Sequence, residues 1–274
     1  MSTGVLVRAL SPGSLTRLQG SRVAGSARSA QVQGELPLPK SRTTWGGRRT
    51  GAGRKPGVGR RNVAHRARPQ HAERHPVHVT LRSAFRPLRS QHVFPTLCLA
   101  IRGATLRAPE RFRVVHFSVQ WDHVHLVVEA KDEHALSAGV RGLAVRIARY
   151  VNELVSRKGR FWADRWHGRA LTSPRQVRNV LVYVFGNFRK HARRSFGRGV
   201  DAYSSAVHFD GFGEFQSGTP PPLATAHSHA ALGVHVVVNE TRTWLVATGW
   251  RRLGLIGIDE KPRATDAPRN PNWA

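Results

Sequence analysis

Two histidines separated by a single residue are the side chains of this sequence best suited to bind a metal ion. His123 and His125 lie within residues 117–129, an alternating run rich in β-branched residues that predicts a β-strand. Because strand side chains alternate between two faces, both imidazoles project from the same face. Neutral imidazoles placed in this way can bind a divalent metal. The alternative is a pair of half-buried strand histidines that bind nothing.

A tyrosine further along the chain is a candidate nucleophile. Tyr183 lies in a segment that opens with a capping box, Ser173 and Gln176, and continues with apolar residues at helical spacing through residues 177–188. Tyr183 and Asn187 are four residues apart, which places them on adjacent turns of the predicted helix. The tyrosine could therefore reach into a cleft between helix and sheet. The alternative is a half-buried tyrosine at the rim of the core.

Alternation and helical periodicity predict a β-α-β-β-α-β order followed by the tyrosine helix. Two helices precede that helix, one at 88–107, where Pro95 interrupts the pattern, and one at 133–158, where Gly159 provides a stop. This order favours an α+β fold, a ferredoxin-like antiparallel sheet with helices on one face, flanked by disordered basic tails. The predicted strands are 76–83, 112–120, 123–130 and 167–172.

The composition points to a polyanionic partner. The chain of 274 residues has 44 basic and 16 acidic residues, which gives a formal net charge of +28. Nucleic acid is the simplest partner for such a field, whereas a membrane surface is disfavoured because the basic residues do not lie on one amphipathic helix. No apolar stretch approaches the roughly 18 residues of a membrane span. The single cysteine, Cys98, excludes an intrachain disulfide framework and a cysteine-based zinc cluster.

Composition also divides the chain into segments. Residues 1–72 are predicted to be a disordered basic N-terminal extension, and residues 73–196 to be the ordered core domain. Residues 197–240 are predicted to be a flexible linker, and residues 241–274 a short C-terminal appendix. The appendix contains tryptophans and is expected to dock on the core as a hydrophobic tail, with base stacking as the alternative.

Within the N-terminal extension, a Gly-Arg-Lys-Pro sequence offers candidate DNA-binding residues. Arg54 and Lys55 form its centre, and the sequence is faintly similar to an AT-hook, which lays an extended backbone in the minor groove. We expect this basic segment to contact phosphates rather than to recognise a base sequence.

The ordered motifs of residues 73–195 resemble the HUH-type single-strand DNA transposases, in particular the REP-associated tyrosine transposases and insertion-sequence relatives with an IS200-like domain. The resemblance rests on the His-hydrophobic-His strand, the helix bearing Tyr-x-x-x-Asn, the first strand at 75–83 and the Gly/Trp segment at 159–166. Two positions depart from the family pattern. Asp122 stands where the family usually has asparagine, and Asn187 lies in Gly-Asn-Phe where many members read Asn-Pro.

The resemblance implies an enzyme, a metal-dependent tyrosine transposase of bacterial mobile elements that nicks and rejoins single-stranded DNA. Tyr183 would be the nucleophile and would form a covalent 5′-phosphotyrosine, so strand transfer would need no ATP. His123, His125 and Asn187 would be the metal ligands. The implied cofactor is Mg²⁺ or Mn²⁺, although imidazole ligands alone would have suggested a transition metal.

The remaining expectations concern other ligands and partners. Glu129 and Asp122 are weaker metal-ligand candidates, because Glu129 lies roughly 13 Å along the strand and Asp122 is expected on its opposite face. The resemblance implies single-stranded DNA hairpins, of repetitive extragenic or element-end sequence, as partners in the bacterial cytoplasm at the nucleoid; it leaves open a homodimer. The alternative function is a non-catalytic basic DNA- or RNA-binding protein on the same fold. Contacts to the DNA backbone are expected from Arg175, Arg178, Arg189, Lys190, Arg193 and Arg194.

Overall fold

The computed structural model of the chain describes residues 70–191, 197–214, 221–224 and 238–261. The predicted extension over 1–72 lies almost entirely outside these residues. The strands are β1 (Val77–Arg82), β2 (Phe112–Val119), β3 (His123–Ala130) and β4 (His167–Ala170). The helices are α1 (Phe94–Thr105), α2 (Glu133–Leu154), α3 (Pro174–Gly186) and α4 (Trp244–Ala247), with 3₁₀ turns at Asn187–His191, Ser205–His208 and Gly249–Leu253.

The strands form one four-stranded antiparallel sheet in the order β2-β3-β1-β4. The hairpin between β2 and β3 is closed by a hydrogen bond from the Gln120 amide to the His123 carbonyl, 2.8 Å. This sheet, with helices packed alongside it, confirms the predicted α+β class. The strand order places β1 and β3 at the centre, so residues that project from these two strands are covered by neighbours on both sides.

Helices α1 and α2 cover one face of the sheet. Their apolar stripes bury Phe94, Leu97 and Ile101 of α1 and Leu143 and Ile147 of α2. The strands contribute alternate residues to the same core, which is the period expected of a sheet face. These strand residues are Val77, Val79, Leu81, Val114, Phe117, Val119, Val124, Leu126 and Val128.

The ends of these two helices differ from the sequence prediction. Pro95 does not interrupt α1 but occupies its first turn, where its missing N–H costs no helical hydrogen bond. The prediction of a helix from residue 88 was therefore wrong. Helix α2 begins at the N-cap Asp132, whose side chain accepts a hydrogen bond from the Ala135 amide. It ends at Leu154, and the left-handed residue that follows is Ser156, with φ 51°, so the predicted stop at Gly159 comes too late.

Helix α3 covers the opposite face, together with the C-terminal segment of residues 243–258. Val180, Leu181 and Val184 of α3 pack with Trp250 and Ile256 in a second buried cluster. The Trp250 indole donates to the Val246 carbonyl at 2.8 Å, which satisfies its polar atom inside that cluster. The expected hydrophobic docking of the appendix is therefore confirmed for these residues.

Part of the predicted linker is also buried against the sheet. Asp201 is fully buried and accepts two hydrogen bonds from Arg89, at 2.6 and 2.9 Å. The Tyr203 carbonyl accepts from the Val119 amide at the edge of β2, and the ring of Tyr203 packs on Phe94. The linker prediction is wrong for residues 200–206, because glycine- and serine-rich composition does not reveal a tertiary ion pair. None of the helices within the described residues has both the length and the apolar character needed to cross a bilayer.

Candidate active site

The two histidines of β3 lie side by side on the face of the sheet that α3 covers. Their ring centroids are 4.7 Å apart and their planes are nearly perpendicular, at 81°. In the antiparallel register with β1, His125 is directly opposite Thr80 and His123 is opposite Arg82. Both imidazoles therefore project from one face, as strand alternation predicts. His125 is buried, whereas the His123 side chain is 18% exposed.

Helix α3 brings Tyr183 and Asn187 to the same place. The Tyr183 ring centroid is 5.1 Å from that of His125, and the Asn187 amide nitrogen is 3.1 Å from His125 Nε2. The helix starts where the sequence predicts: Ser173 accepts from the Gln176 amide, and Gln176 reaches back to the Thr172 amide at 2.8 Å. Residues distant in sequence thus converge as the spacing of the motifs predicts.

The second nitrogen of His125 faces two side chains of β1. His125 Nδ1 lies 3.2 Å from Thr80 Oγ1 and 3.2 Å from His78 Nε2. When Nδ1–H donates to one of these groups, the lone pair of the neutral ring is on Nε2, on the side of Asn187. Burial, with smaller contributions from the positive charges of His167, Arg169 and His123, lowers the pKa of His78 to about 3. His78 is therefore a neutral partner for His125 at physiological pH.

Sequence reasoning missed His78 and Thr80 as parts of the site. Their signal was the alternation of β1 itself, since both occupy the positions of that strand that share a face with His125. Only the pairing register turns that alternation into a contact, and the register is not readable from β1 alone.

Asp122 is the partner of the other metal-ligand candidate. One carboxylate oxygen lies 2.8 Å from His123 Nδ1, and this hydrogen bond is the largest of the effects that hold the pKa of Asp122 below its usual value. Arg86 and Arg82 lie 3.2 and 3.6 Å from its second oxygen. The expectation that Asp122 points away from the histidines was wrong, because the residue lies in the turn before β3, where strand alternation does not apply. With Nδ1–H donating to Asp122, the lone pair of neutral His123 is on Nε2.

Tyr183 is enclosed between the helix and the imidazoles. The residue is only 9% exposed, and burial raises the pKa of its phenol. The hydroxyl is therefore protonated at neutral pH and must lose its proton in any reaction that makes the oxygen a nucleophile. Its ring also lies edge-on to His78, with centroids 6.0 Å apart.

Glu129 binds neighbouring protein groups, which gives its carboxylate a structural role. Its carboxylate is buried and accepts two hydrogen bonds from Arg113, at 2.9 and 3.1 Å. It also accepts from the amides of Arg242 and Thr243 and from the Thr243 hydroxyl, at 2.7 to 3.2 Å. These bonds fasten the start of α4 to β3 and use the acceptor capacity of the carboxylate.

The residues present could hold a divalent cation. The Asn187 amide oxygen is buried and has no hydrogen-bond partner among the described residues, which is a costly arrangement unless another group binds that oxygen. Across the described residues, no group of three or more His, Cys, Asp or Glu side chains could hold a metal. The candidate donors that the site brings together are two imidazoles and one amide group.

The arginines expected to bind DNA fall into two groups. Arg175 is exposed on the first turn of α3. In contrast, Arg178 pairs with Glu260 and donates to the Gly254 and Leu255 carbonyls, at 3.1 and 2.9 Å. Arg189 donates to the carbonyls of Ile258 and Gly199, both at 2.8 Å, and pairs with Asp259. Arg178 and Arg189 thus fix the C-terminal segment, which argues against the predicted role for them. The Lys190 side chain and Arg193, Arg194, Arg54 and Lys55 lie outside the described residues.

Comparisons with known proteins agree with the motif analysis. Residues 102–186 match the family described as transposase IS200-like. Among solved structures, the chain is similar to a REP-associated tyrosine transposase bound to a REP hairpin, with 18% identity over 47% of this chain and 75% of that chain and a TM-score of 0.38. It is also similar to a candidate transposase from Deinococcus radiodurans R1, with 15% identity over 47% of this chain and 98% of that chain and a TM-score of 0.32. No curated protein matches the sequence.

The family match covers β3 and α3, which carry the two histidines and the tyrosine, but not β1. Residues 102–186 run from the end of α1 through α3 and include His123, His125 and Tyr183, while Asn187 follows immediately. This part of the chain is therefore similar to the IS200-like transposase family.

Proposed function

We propose that this transposase cleaves and rejoins single-stranded DNA at hairpin sites through a covalent 5′-phosphotyrosine formed on Tyr183. The observation that carries the proposal is the convergence of Tyr183 and Asn187 of α3 on His125 of β3, at 5.1 and 3.1 Å. A tyrosine, two imidazoles and an amide oxygen that has no hydrogen-bond partner among the described residues are an unusual set of groups to enclose between a helix and a sheet.

The covalent step exchanges one phosphoester for another. The Tyr183 oxygen attacks phosphorus, the bond from phosphorus to the 3′ oxygen breaks, the phenol loses its proton, and the leaving 3′ oxygen gains one. The reverse exchange with a new 3′-hydroxyl rejoins the strand. Burial holds the tyrosine ring in place beside the imidazoles, which limits the motion that precedes attack.

His123, His125 and Asn187 would hold Mg²⁺ or Mn²⁺. When bound, the cation would neutralise charge on the non-bridging phosphate oxygens and orient the phosphate. The neighbouring side chains prepare this site by fixing the imidazoles. Asp122 holds His123 through Nδ1, and Thr80 with His78 holds His125 through Nδ1. The Asn187 amide nitrogen faces His125 Nε2. For both residues to bind one cation, the amide would have to rotate so that its oxygen faces the imidazole.

The direct test is to incubate the full chain with a labelled single-stranded hairpin that carries unpaired flanks, in Mn²⁺ or Mg²⁺, and to look for a covalent adduct on a denaturing gel. Tyr183→Phe removes only the phenolic oxygen and keeps the packing of the ring. We expect no adduct from this variant and hairpin affinity within about twofold of wild type, since packing is preserved. Tyr150→Phe, a change in a half-buried tyrosine of α2, is the matched control and should form the adduct normally.

Two results would overturn the proposal. If wild type forms no adduct with any flanked hairpin while binding it, the chain is a non-catalytic DNA-binding protein on this fold. If Tyr183→Phe still forms the adduct, the nucleophile is a different group, and Tyr150 and Tyr203 are the remaining tyrosines.

We also propose that each chain uses its own tyrosine. Tyr183 reaches His125 of the same chain, so the site needs no exchange of α3 between subunits. A mixture of Tyr183→Phe and His125→Ala proteins tests this, because neither variant has both groups. Adduct formation in the mixture would mean that the tyrosine is supplied in trans within a homodimer, whereas an inactive mixture supports action in cis.

A further inference from the structure

A groove of about 720 Å³ lies between α2 and residues 162–166, away from the proposed catalytic centre. We call it the tryptophan groove and define it by Arg141, Arg149, Trp162, Arg165 and Trp166. Nothing in the proposed chemistry uses these side chains.

The helix side of the groove is built from one face of α2. Arg141 and Arg149 are both exposed and lie two turns apart, so they flank the groove along its length. The small side chains of Ala138 and Ala148 lie on the same side and leave room for a ligand. Neither arginine makes an ion pair or a hydrogen bond with another of the described residues.

The opposite side presents two fixed aromatic rings. The Trp162 indole donates to the Ala144 carbonyl of α2 at 2.9 Å, which fixes the plane of the ring. Trp166 lies over Gly168 of β4, where an added Cβ would come within 2.4 Å of the ring. Both rings are only partly buried. A rigid, partly exposed tryptophan can stack on a flat ligand at a small cost in side-chain entropy.

The charge of the groove selects an anion. Arg141, Arg149 and Arg165 line it, and Asp164 is its single acidic side chain. A ligand that combines flat apolar surfaces with regularly spaced negative charges is a nucleic acid strand with unpaired bases. A duplex fits less well, because its bases are not available for stacking on Trp162 or Trp166.

The groove and the proposed catalytic centre meet at the edge of the sheet. β4 is an edge strand, and His167 pairs with Thr80, which lies on the face of the imidazoles. Trp166 precedes His167 and lies on the other face, over Gly168. A strand that follows the edge of β4 would therefore pass from the groove to the imidazoles.

We propose that the tryptophan groove binds the unpaired DNA flank of the hairpin substrate, with bases on the tryptophans and phosphates on the arginines. This inference rests on the proposed function, because it takes the same DNA as ligand. It assigns to the groove the part of the substrate that leads toward the cleaved phosphate.

The first test compares hairpins with and without a single-stranded flank, in EDTA so that no chemistry intervenes. The double variant Arg141→Glu/Arg149→Glu should bind the flanked hairpin at least about tenfold more weakly, since two attractions to phosphate become repulsive. The slope of log affinity against log salt should fall by about 0.7 for each phosphate that the variant no longer neutralises. Binding of the blunt hairpin should change by less than about twofold.

Arg107→Glu, a charge reversal at an exposed arginine beyond the end of α1, is the matched control and should leave the binding of both hairpins unchanged. Equal weakening for the flanked and blunt hairpins, or no weakening for either, overturns the proposal.

The second test separates stacking from charge. With a flank of normal nucleotides, Trp166→Leu should weaken binding about tenfold and Trp166→Phe much less, because phenylalanine retains an aromatic face. With an abasic flank, both variants should bind as wild type does. A weakening that persists with the abasic flank would mean that Trp166 supports the fold rather than the DNA. In that case the double variant Arg141→Glu/Arg149→Glu still tests whether the groove binds the flank, because both changes lie on the surface.

The two proposals fail in distinguishable ways. If wild type forms no covalent adduct but the groove variants lose flank-dependent binding, the catalytic proposal fails and the groove assignment stands. If the adduct forms and the groove variants bind flanked hairpins as wild type does, only the groove assignment fails.

Discussion

The two faces of the central sheet are both covered by helices, yet they are chemically opposite. Under α1 and α2, β3 contributes Val124, Leu126 and Val128, which join a wholly apolar cluster. Under α3, the same strand contributes His123 and His125, followed by Val127 and Glu129. We call these the apolar face and the polar face. Alternate side chains of β3 thus pack in the apolar core on one side and contribute candidate site residues on the other.

This difference separates the residues that stabilise the fold from those of the proposed active site. Burying a leucine or valine contributes about 1.5–3 kcal/mol, whereas a paired buried polar group contributes about 1 kcal/mol net and becomes costly when it loses its partner. Apolar residues on both sides of the sheet therefore supply most of the folding free energy, and the apolar face contributes little besides packing. The polar face holds imidazoles and an amide whose arrangement stability alone would not favour.

The sharpest comparison is between neighbours in β3 that point to opposite faces. His125→Ala should reduce adduct formation by more than about 10³-fold, because it removes a proposed metal ligand and the hydrogen-bond partner of Asn187, while the free energy of unfolding falls by only about 1–2 kcal/mol. Leu126→Ala should lower that free energy by about 2–5 kcal/mol and leave adduct formation by the folded protein nearly unchanged. Urea denaturation and the adduct assay, measured on both variants, give the two effects. Comparable losses of activity in both would remove the distinction between the faces.

Glu129 tests whether every polar group of the polar face serves the chemistry. Glu129→Ala leaves Arg113 buried without its partner and removes the acceptor for the start of α4, so we expect a decrease of about 3–5 kcal/mol in unfolding free energy. The affinity for Mn²⁺, measured by calorimetry, should be unchanged in the folded protein. Glu153→Ala, at an exposed position of α2, is the control and should cost less than about 0.5 kcal/mol. Weaker Mn²⁺ binding by Glu129→Ala would return this carboxylate to the set of ligands.

Local pattern was sufficient to predict most of the fold. The period of the strands and the capping box at Ser173 located the β-strands and α3 to within two residues of their bounds. The bounds of α1 were wrong because apolar residues upstream of Pro95 continue the pattern into a loop. Leu88 is buried there without being helical, so burial was mistaken for helix.

The proximity of the candidate site residues was predicted where it depends on spacing and missed where it depends on register. His123, His125, Tyr183 and Asn187 each sit in a motif with its own spacing, and they do converge. The hydrogen bond between His78 and His125 requires the pairing of β1 with β3, and the ion pair of Arg89 with Asp201 joins residues 112 apart in sequence. No local pattern encodes either interaction, since both arise only when strands and loops assemble.

A further imidazole of the polar face, besides His78, His123 and His125, makes that face sensitive to acid. His116 packs edge-on against Phe185 and Phe209, and burial lowers its pKa to about 4 from 6.5. The unfolded chain therefore binds more protons than the folded chain between these values. The associated stability is complete above pH 6.5 and is lost as the pH falls toward 4, by about 1–2 kcal/mol at pH 5.

Replacing this imidazole should remove the contribution of His116 to the loss of stability at low pH. The difference in unfolding free energy between His116→Phe and wild type should shift in favour of the variant by about 1–2 kcal/mol between pH 7.5 and pH 5. Contributions from His78 and other groups are shared by the two proteins and cancel in the difference. Urea titrations at a series of pH values provide the measurement. A difference that stays constant with pH would mean that His116 is not the acid-sensitive group.

The smallest expected effect on stability concerns Asn187, and it tests whether this residue serves metal binding or the fold. The buried Asn187 carbonyl has no hydrogen-bond partner among the described residues, although its amide nitrogen bonds to His125. Asn187→Leu exchanges a bond worth about 1 kcal/mol for relief of an unpaired acceptor that costs about 1–3 kcal/mol. The metal-free variant should therefore be as stable as wild type or up to about 1 kcal/mol more stable, while its affinity for Mn²⁺ falls about tenfold. Asn179→Leu, on the same helix, measures the gain from leucine alone. If Asn187→Leu binds Mn²⁺ as wild type does, the amide oxygen is not a ligand. If Asn187→Leu destabilises the metal-free protein by several kcal/mol, Asn187 stabilises the fold. The polar face would then not reduce the stability of the protein.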